Sequence, residues 1–461
     1  MKNKKIIAMA MSVILAVGMA AGCSEKGGDG KVAVTIGNWP NPEANPEYYE
    51  VREKSKQTFM EKYPDVDFKT DEFVYDTQVF LARAEGKTLP TLYNTHFTEA
   101  KMIIQNGYAA ELTEVLKERG YYEKLTEYVI ESASDGGKIY LMPASCYTMG
   151  LVINLDLFEK AGLVAEDGTP QVPETFDELA EMAKTIKEKT GKAGFVFPTK
   201  ENLGGWYFSI LGWAYGVDFM EQIDGKWTAT FDTKEMVNAV NYLKKLRWDD
   251  GTLPVNALIG NGDMMQMIAT GEAAMTFAHP DQVTDLVVSY GMDKDSIGYA
   301  KMPAGPESRV TLMGGAYNVC REDATKEQIN ACLDWLQVIG FSPDVTDEDL
   351  VAYDEELKGY HEQERIIGIE DLTVWNEKSN ATQKKKEVRD KYVNVNLNHV
   401  KSYNDKSGIE YRVEEPVCAQ NLYKIMDGVI QEVLSNKDAD VEKLVKDANY
   451  NLQKNFLDYE N

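Results

Sequence analysis

Apolar and polar positions follow the two-residue period of strands in some segments of this chain and the period of helices in others. Strand-like and helix-like segments follow one another. Residues 31–39 alternate β-branched with other side chains and end in Gly-Asn-Trp, which is the pattern of a first core strand. Residues 49–63 place apolar side chains on one side of a helix, and residues 64–68 begin another strand. The alternation continues to residue 119 and predicts an α/β fold with open sheets.

Polar and aromatic residues stand where predicted strands end, which is where open sheets bind ligands. Asn38 and Trp39 follow the first strand, and Asn94 and His96 follow the strand near residue 92. Further along, the strand that ends at residue 277 is followed by a second set of candidates: His279, Asp281 and Gln282. We expect both sets to face a ligand.

Helix signals divide the middle of the chain. Thr175 is predicted to cap a helix, with Glu178 completing a capping box. Residues 206–220 are dense in aromatic side chains and predict a helix that Trp206 opens, with Trp213 further along it as a ligand contact or a core residue.

The first 23 residues have the form of an export signal. Lys2, Lys4 and Lys5 precede an uncharged run that ends in Ala-Ala-Gly-Cys at Cys23. This ending resembles the lipobox of bacterial lipoproteins, in which the leader (residues 1–22) is removed and the cysteine thiol carries a diacylglycerol. The resemblance implies a lipid anchor at Cys23 and a location on the outer face of the cell membrane, with residues 23–31 as a flexible tether.

The net charge of the chain excludes some classes of binding partner. Without the three lysines of the leader the chain keeps 46 basic against 75 acidic residues, a formal charge of −29. Such a surface repels nucleic acid and anionic lipid. The strand ends carry no cluster of arginine or lysine, which counts against phosphate, carboxylate or sulfated ligands.

Cysteine and histidine usage indicates neither a metal site nor a cofactor. No Cys-x-x-C pair occurs, and the four histidines are scattered. The cysteines that follow the leader and the anchor allow three disulfide pairings or free thiols, and the sequence leaves this open: Cys146, Cys320, Cys332 and Cys418.

Three motifs together resemble family 1 extracellular solute-binding proteins of ABC importers, the group that contains maltose-binding protein. The longest runs from Tyr147 through Asn-Leu-Asp-Leu-Phe-Glu-Lys-Ala-Gly-Leu to residue 163 and on to Pro-Glu-Thr-Phe-Asp-Glu-Leu at 173–179. The second is Gly-Glu-Ala-Ala-Met at 271–275, and the third is Met-Pro-Ala-Gly-Pro at 302–306 with Gly314 and Gly315 after it.

The resemblance covers about residues 32–340 and implies a two-lobed periplasmic-binding-protein-like fold of type II. Each lobe would be a sheet flanked by helices, with the ligand cleft between the lobes. Residues 32–143 and 279–340 would form lobe 1, and residues 144–278 and 341–461 lobe 2. The protein would be a monomer without enzymatic activity that closes on its ligand and is then recognised by an ABC permease.

The resemblance also directs the choice of ligand and contacts. Sugars need flat aromatic platforms together with amides and carboxylates in a concave site. The candidates described above supply these groups, and the family motifs add Tyr147, Gly314 and Gly315. We therefore expect a carbohydrate ligand, an oligosaccharide in preference to a monosaccharide.

Other functions fit parts of the sequence. A polyamine would also use carboxylates beside aromatic faces, and a peptide would suit the same fold. A secreted glycosidase would need two carboxylates at a separation that the sequence does not show.

Overall fold

The computed structural model describes residues 30–460, so the leader and Cys23 lie outside the described residues. Its strands are β1 Val32–Ile36, β2 Val66–Thr70, β3 Leu92–His96, β4 Ser134–Asp135, β5 Lys138–Ile139, β6 Leu141–Thr148, β7 Gly150–Asn154, β8 Met220–Ile223, β9 Lys226–Ala229, β10 Met275–Ala278, β11 Ile297–Ala300, β12 Val310–Cys320 and β13 Glu410–Arg412. Its α-helices are α1 Pro46–Lys62, α2 Thr77–Glu85, α3 Ala100–Gln105, α4 Thr113–Glu118, α5 Glu127–Ser132, α6 Leu155–Ala161, α7 Phe176–Thr190, α8 Leu203–Ala214, α9 Lys234–Trp248, α10 Asn261–Ala269, α11 Pro280–Val288, α12 Lys326–Val338, α13 Asp347–Glu362, α14 Asn380–Arg389, α15 Leu397–Asn404, α16 Ala419–Ser435 and α17 Val441–Asn455.

The first sheet has the strand order β13-β12-β3-β1-β2, and β6 also pairs with β12. Strand β1 pairs in parallel with β2 and β3, whereas β12 runs antiparallel to both β3 and β6. Because β1, β2 and β3 are parallel, their carboxyl ends lie at one edge of the sheet. Asn38 and Asn94 therefore come to the same edge.

The second sheet is antiparallel, with β7 between β10 and β11. All five residues of β7 are buried, since helices cover the sheet, and its sequence Gly-Leu-Val-Ile-Asn is accordingly apolar without alternation. The first turn of α11 follows β10 directly, which places His279 and Asp281 at an end of this sheet.

Two large hydrophobic cores are built on these sheets. The first holds Trp39, Phe59 and Trp335 among others, and the second holds Phe158, Trp213 and Leu422 among others. In the described residues the chain passes between the cores three times: from Cys146 to Met149, from Leu312 to Met313, and between Ala381 and Val400. The two-lobed α/β fold predicted from the sequence is confirmed.

The chain changes from one core to the other at different residues from those we expected for the lobe boundaries. Residues 279–312, expected in lobe 1, pack in the second core because β11 pairs with β7. In the segment 341–461, expected in lobe 2, Val345 and Trp375 join the first core. The fully buried residues that join the second core begin at Val400, and Ile366, Ile369 and Val395 pack against it from outside.

Local signals were accurate at α7 and less so at α8. Thr175 caps α7 by accepting the Glu178 N–H at 3.1 Å, although the Glu178 carboxylate accepts the N–H of Glu174, not that of Thr175. Helix α8 ends at Ala214, because Gly216 turns the chain with φ +88°. The predicted extension of this helix to residue 220 is wrong. No helix within residues 30–460 has both the length and the apolar character needed to cross a membrane.

Candidate functional site

A network of side-chain amides lies at the edge where β1 and β3 end. Asn38 adopts a left-handed backbone conformation, with φ +55°, and its Oδ1 accepts the N–H of Asn94 at 2.9 Å. The Asn94 Nδ2 donates in turn to Asn318 Oδ1 at 2.7 Å. The structure thus brings Asn38 and Asn94 together and adds Asn318 from β12.

These amides line a cavity of about 570 Å³. Other lining residues include Tyr75, Thr95, His96, Ala144 and Ala316. The exposed His96 ring packs edge-on to Tyr75, with centroids 6.0 Å apart, and the Tyr75 hydroxyl donates to Glu99 at 2.8 Å. The first half of the candidate site therefore combines amides, a hydroxyl and ring edges.

An aromatic wall, formed by Tyr147, Trp206 and His279, makes the second half. The ring centroids of Tyr147 and His279 lie 5.2 Å apart, and those of Trp206 and His279 lie 6.5 Å apart. All three side chains are half-buried, so that each keeps part of its surface open to solvent. Burial raises the pKa of Tyr147 to about 12, with the charges of Glu414 and Asp281 adding to the effect, and its hydroxyl stays protonated as a donor.

Gly314 and Gly315 contribute to the wall by having no side chains. Gly314 pairs with Tyr147 across β12 and β6, and a Cβ there would lie 2.5 Å from the Tyr147 ring. At Gly315, where φ is +150°, a Cβ would lie 2.1 Å from the carbonyl oxygen of Ser145. Both glycines let β6 and its tyrosine approach closely.

Carboxylates surround the aromatic wall. Glu414 accepts the Tyr423 hydroxyl at 3.1 Å, and the Trp206 side chain is close enough to lower the pKa of Glu414. Burial raises the pKa of Glu414 to about 7 against the lowering effect of the Tyr423 hydroxyl, and the charge of Glu99 contributes in the same direction as burial. Because Glu99 also accepts from Tyr75, it connects the two halves of the site.

His279 offers an unused hydrogen-bonding atom. Its Nδ1 is buried and has no partner within the described residues. Burial lowers the pKa of His279, against the opposing charges of Asp281 and Asp285, so the ring is neutral at pH 7. A neutral imidazole can donate or accept a hydrogen bond with a ligand hydroxyl.

Three predicted contacts are placed elsewhere. Trp39 is 5% exposed and packs in the first core, 5.7 Å from the ring of Trp335. Trp213 is 2% exposed, and its indole donates to Glu415 at 3.1 Å. Both indoles are core residues, because helices cover their faces.

Gln282 is likewise occupied within the protein. It is 6% exposed, its Oε1 accepts from the Tyr207 hydroxyl and the His279 N–H, and its Nε2 donates to Asn261. Its amide caps α11 and leaves no polar atom for a ligand. Asp281, one position earlier, is exposed.

Several site residues were missed in the sequence. Glu414 and Asp371 come from the segment after residue 341, where no motif was found, and Tyr75 and Glu99 follow strand ends without a distinctive pattern. Asp371 is exposed, and the charges of Lys406 and Asp281 act on it. The four described cysteines are free thiols, and no group of three potential metal ligands occurs in residues 30–460.

Comparisons with known proteins identify the family of the chain. Residues 42–337 match the family described as bacterial extracellular solute-binding protein. Among curated proteins, the polygalacturonan/rhamnogalacturonan-binding protein YtcQ of Bacillus subtilis is 24% identical over 377 residues, which are 76% of this chain and 72% of that protein. A putative binding protein of Brucella abortus is 26% identical over 239 residues, and the chain spans 54% of the length of that relative.

Solved structures show the same fold. The cyclic α-maltosyl-1,6-maltose binding protein of Arthrobacter globiformis superimposes with a TM-score of 0.63 at 20% identity, covering 91% of this chain and 98% of that one. UgpB of Mycobacterium tuberculosis, in complex with glycerophosphocholine, superimposes with a TM-score of 0.65 at 17% identity, covering 94% and 100%. The chain belongs to the family of bacterial extracellular solute-binding proteins, as its motifs indicated.

Proposed function

We propose that this protein captures a carbohydrate, in particular an oligosaccharide, between its two lobes and delivers it to an ABC permease. The observation that carries the proposal is the aromatic wall beside the half-buried carboxylate of Glu414, together with the amides of Asn38 and Asn94 at the edge of the first sheet. A sugar presents apolar C–H faces to rings and hydroxyls to amides and carboxylates. The site holds both kinds of partner.

The names of similar proteins support a saccharide. The Bacillus subtilis relative is named for polygalacturonan and rhamnogalacturonan, and the Arthrobacter globiformis protein for a cyclic maltosyl-maltose. A lipid at Cys23 would hold the protein, as a monomer, on the outer face of the cell membrane beside its permease. The protein would bind without chemical turnover.

Closure of the cleft would couple binding to delivery. Strand β12 contributes Leu312 to the second core and Met313 to the first, so it crosses directly between the lobes beside β6. A ligand that touches both halves stabilises the closed form, which the permease would recognise.

A second candidate ligand is a polyamine. Glu414 and Asp281 act on Tyr147 of the aromatic wall, and carboxylates beside aromatic faces suit ammonium groups. Spermidine is therefore included in the test below.

The test is isothermal titration of the purified protein with neutral oligosaccharides, spermidine and peptides. Stacking that hides about 80 Å² of Trp206 stabilises the complex by roughly 2 kcal/mol at ~25 cal/mol/Å². Trp206→Ala should then weaken binding on the order of 30-fold. Trp206→Phe, which keeps a flat ring, should retain most of the affinity, and Tyr459→Ala at a site 82% exposed serves as the control.

Unchanged affinity of Trp206→Ala for a bound sugar would contradict this site. Binding of spermidine alone would favour the second candidate, and release of a cleaved glycan would indicate an enzyme instead.

A further inference from the structure

Glu414 lies beside the Trp206 side chain. It follows β13 and is half-buried, and its carboxylate accepts the Tyr423 hydroxyl at 3.1 Å. The Trp206 side chain is close enough to lower the pKa of Glu414. Tyr423 is 1% exposed, and its packing fixes the position of its hydroxyl. A carboxylate has about four acceptor positions, so acceptor capacity remains for a ligand.

Other negative charges lie around the same ring. Glu99 acts on Glu414 from the first half of the site, and Asp281 acts on Tyr147 together with Glu414. Three separate chain segments thus bring carboxylates to the end of the cleft that holds the aromatic wall.

The lysine and arginine side chains near the aromatic wall interact with residues other than Glu414. Lys406 lies over the Tyr403 ring, 3.3 Å from its centroid, and acts on Asp371. Arg412 and Lys101 line the same cavity as Glu414, but so do Glu131, Asp135 and Glu415. Both cations act on Glu415, and Arg412 is bound to Asp218 at 2.8 Å.

Two further cations lie at the opposite end, with Asn38. Arg52 binds the Tyr48 hydroxyl at 2.9 Å, and Lys385 binds the carbonyl of Gly340 at 2.9 Å. The end with the aromatic wall is therefore acidic on balance.

We propose that Glu414 determines the charge selectivity of the cleft, so that the sugar unit stacked on Trp206 carries no carboxylate. This inference rests on the proposed function and narrows its ligand class to neutral or amine-bearing saccharides, with uronates rejected. A ligand hydroxyl or ammonium group can donate to Glu414, whereas a ligand carboxylate would place a second negative charge beside it in a poorly solvated site. The ligand would then differ in charge from the polygalacturonan named for the Bacillus subtilis relative.

The selectivity should depend on pH. Burial raises the pKa of Glu414 to about 7. The groups around it are Tyr423, Trp206, Glu99 and Tyr147, and the charged residues that line the same cavity are Lys101, Glu131, Asp135, Arg412 and Glu415. Below pH 7 the carboxyl gains a proton and its repulsion of a uronate falls, while the uronate itself stays ionised at pH 5.5. Rejection of uronates should therefore be strongest at pH 8 and weaken towards pH 5.5.

The experiment compares matched trisaccharides by isothermal titration at pH 8. Galactotriose and trigalacturonate differ only in oxidation at C6, and triacetylchitotriose and chitotriose differ only in their amines. We expect at least one of the neutral or amine-bearing trisaccharides to bind. Trigalacturonate should bind at least about 10-fold more weakly than galactotriose. Glu414→Gln keeps the size and an acceptor oxygen of the side chain and should reduce that difference to within about threefold.

Glu415→Gln is the matched control. Glu415 is the next residue and is 7% exposed, but its carboxylate accepts the indole of Trp213 in the second core. This variant should leave the discrimination unchanged. If Glu414→Gln does not fold, the pH series on the unmodified protein provides the test.

Each outcome decides a separate point. Equal affinity of the unmodified protein for galactotriose and trigalacturonate overturns this inference alone, and so does equal rejection of trigalacturonate by the Glu414→Gln variant. Failure of every saccharide to bind overturns the proposed function and this inference with it.

Discussion

At the scale of single residues, Gly314 shows how a missing side chain can shape a site. The Tyr147 ring occupies the space that a Cβ on Gly314 would need, at 2.5 Å. The sequence indicated both residues as family positions but not this contact. The contact depends on the register of β6 against β12, which pairs residues 167 positions apart and leaves no local signal.

Gly314→Ala should therefore displace the Tyr147 ring. We expect a loss of about 1–3 kcal/mol in the free energy of unfolding, as for other overpacked positions, and weaker ligand binding. Urea unfolding and titration measure the two effects. In a Tyr147→Ala background the same substitution should cost much less, because the ring that it meets is gone. An equal cost in both backgrounds would contradict this explanation.

At the scale of elements, the N-terminus of α8 positions Trp206. Asp427 of α16 accepts the N–H groups of Asn202 and Gly205, each at 2.8 Å, and so caps α8 from a distant part of the chain. A Cβ on Gly205 would lie 2.3 Å from the carbonyl oxygen of Tyr423, so α8 and α16 pack closely. The sequence located the aromatic helix and Trp206 near its start, but a cap from more than 220 residues away leaves no local pattern.

Asp427→Ala should loosen this end of α8. Loss of a helix cap costs about 0.5–2 kcal/mol, and Asp427 is 7% exposed, so we expect the upper part of that range. Ligand affinity should fall as well, because Trp206 follows the capped turn. Asp427→Asn, which keeps one acceptor oxygen, should recover most of both losses in denaturant unfolding and titration. Normal affinity in Asp427→Ala would show that α8 is positioned without the cap.

At the scale of the whole molecule, the two halves of the site belong to different cores. Asn38 and Asn94 lie at the edge of the first sheet, while Trp206 and His279 lie against the second core. Alternating periods and motif order were sufficient to predict two α/β lobes. They could not assign residues 279–312, because an apolar segment such as Ile-Gly-Tyr-Ala of β11 fits either sheet until its partner strand is known.

Binding should therefore bring the lobes together. Small-angle X-ray scattering should show a smaller radius of gyration at saturating ligand than without it, since contacts to both halves favour the closed form. Trp206→Ala at the same ligand concentration should show a smaller change. A radius that does not respond to a ligand bound with high affinity would contradict closure.

The three passages between the cores also bear on the order in which the chain can fold during synthesis. In the first sheet, β3 lacks one of its two neighbouring strands until β12 has been made. The second core cannot be completed before α16 and α17, near the end of the chain, have been made. A nascent chain of 300 residues would therefore contain neither core complete. Such late completion would delay folding of either core until most of the chain has been made.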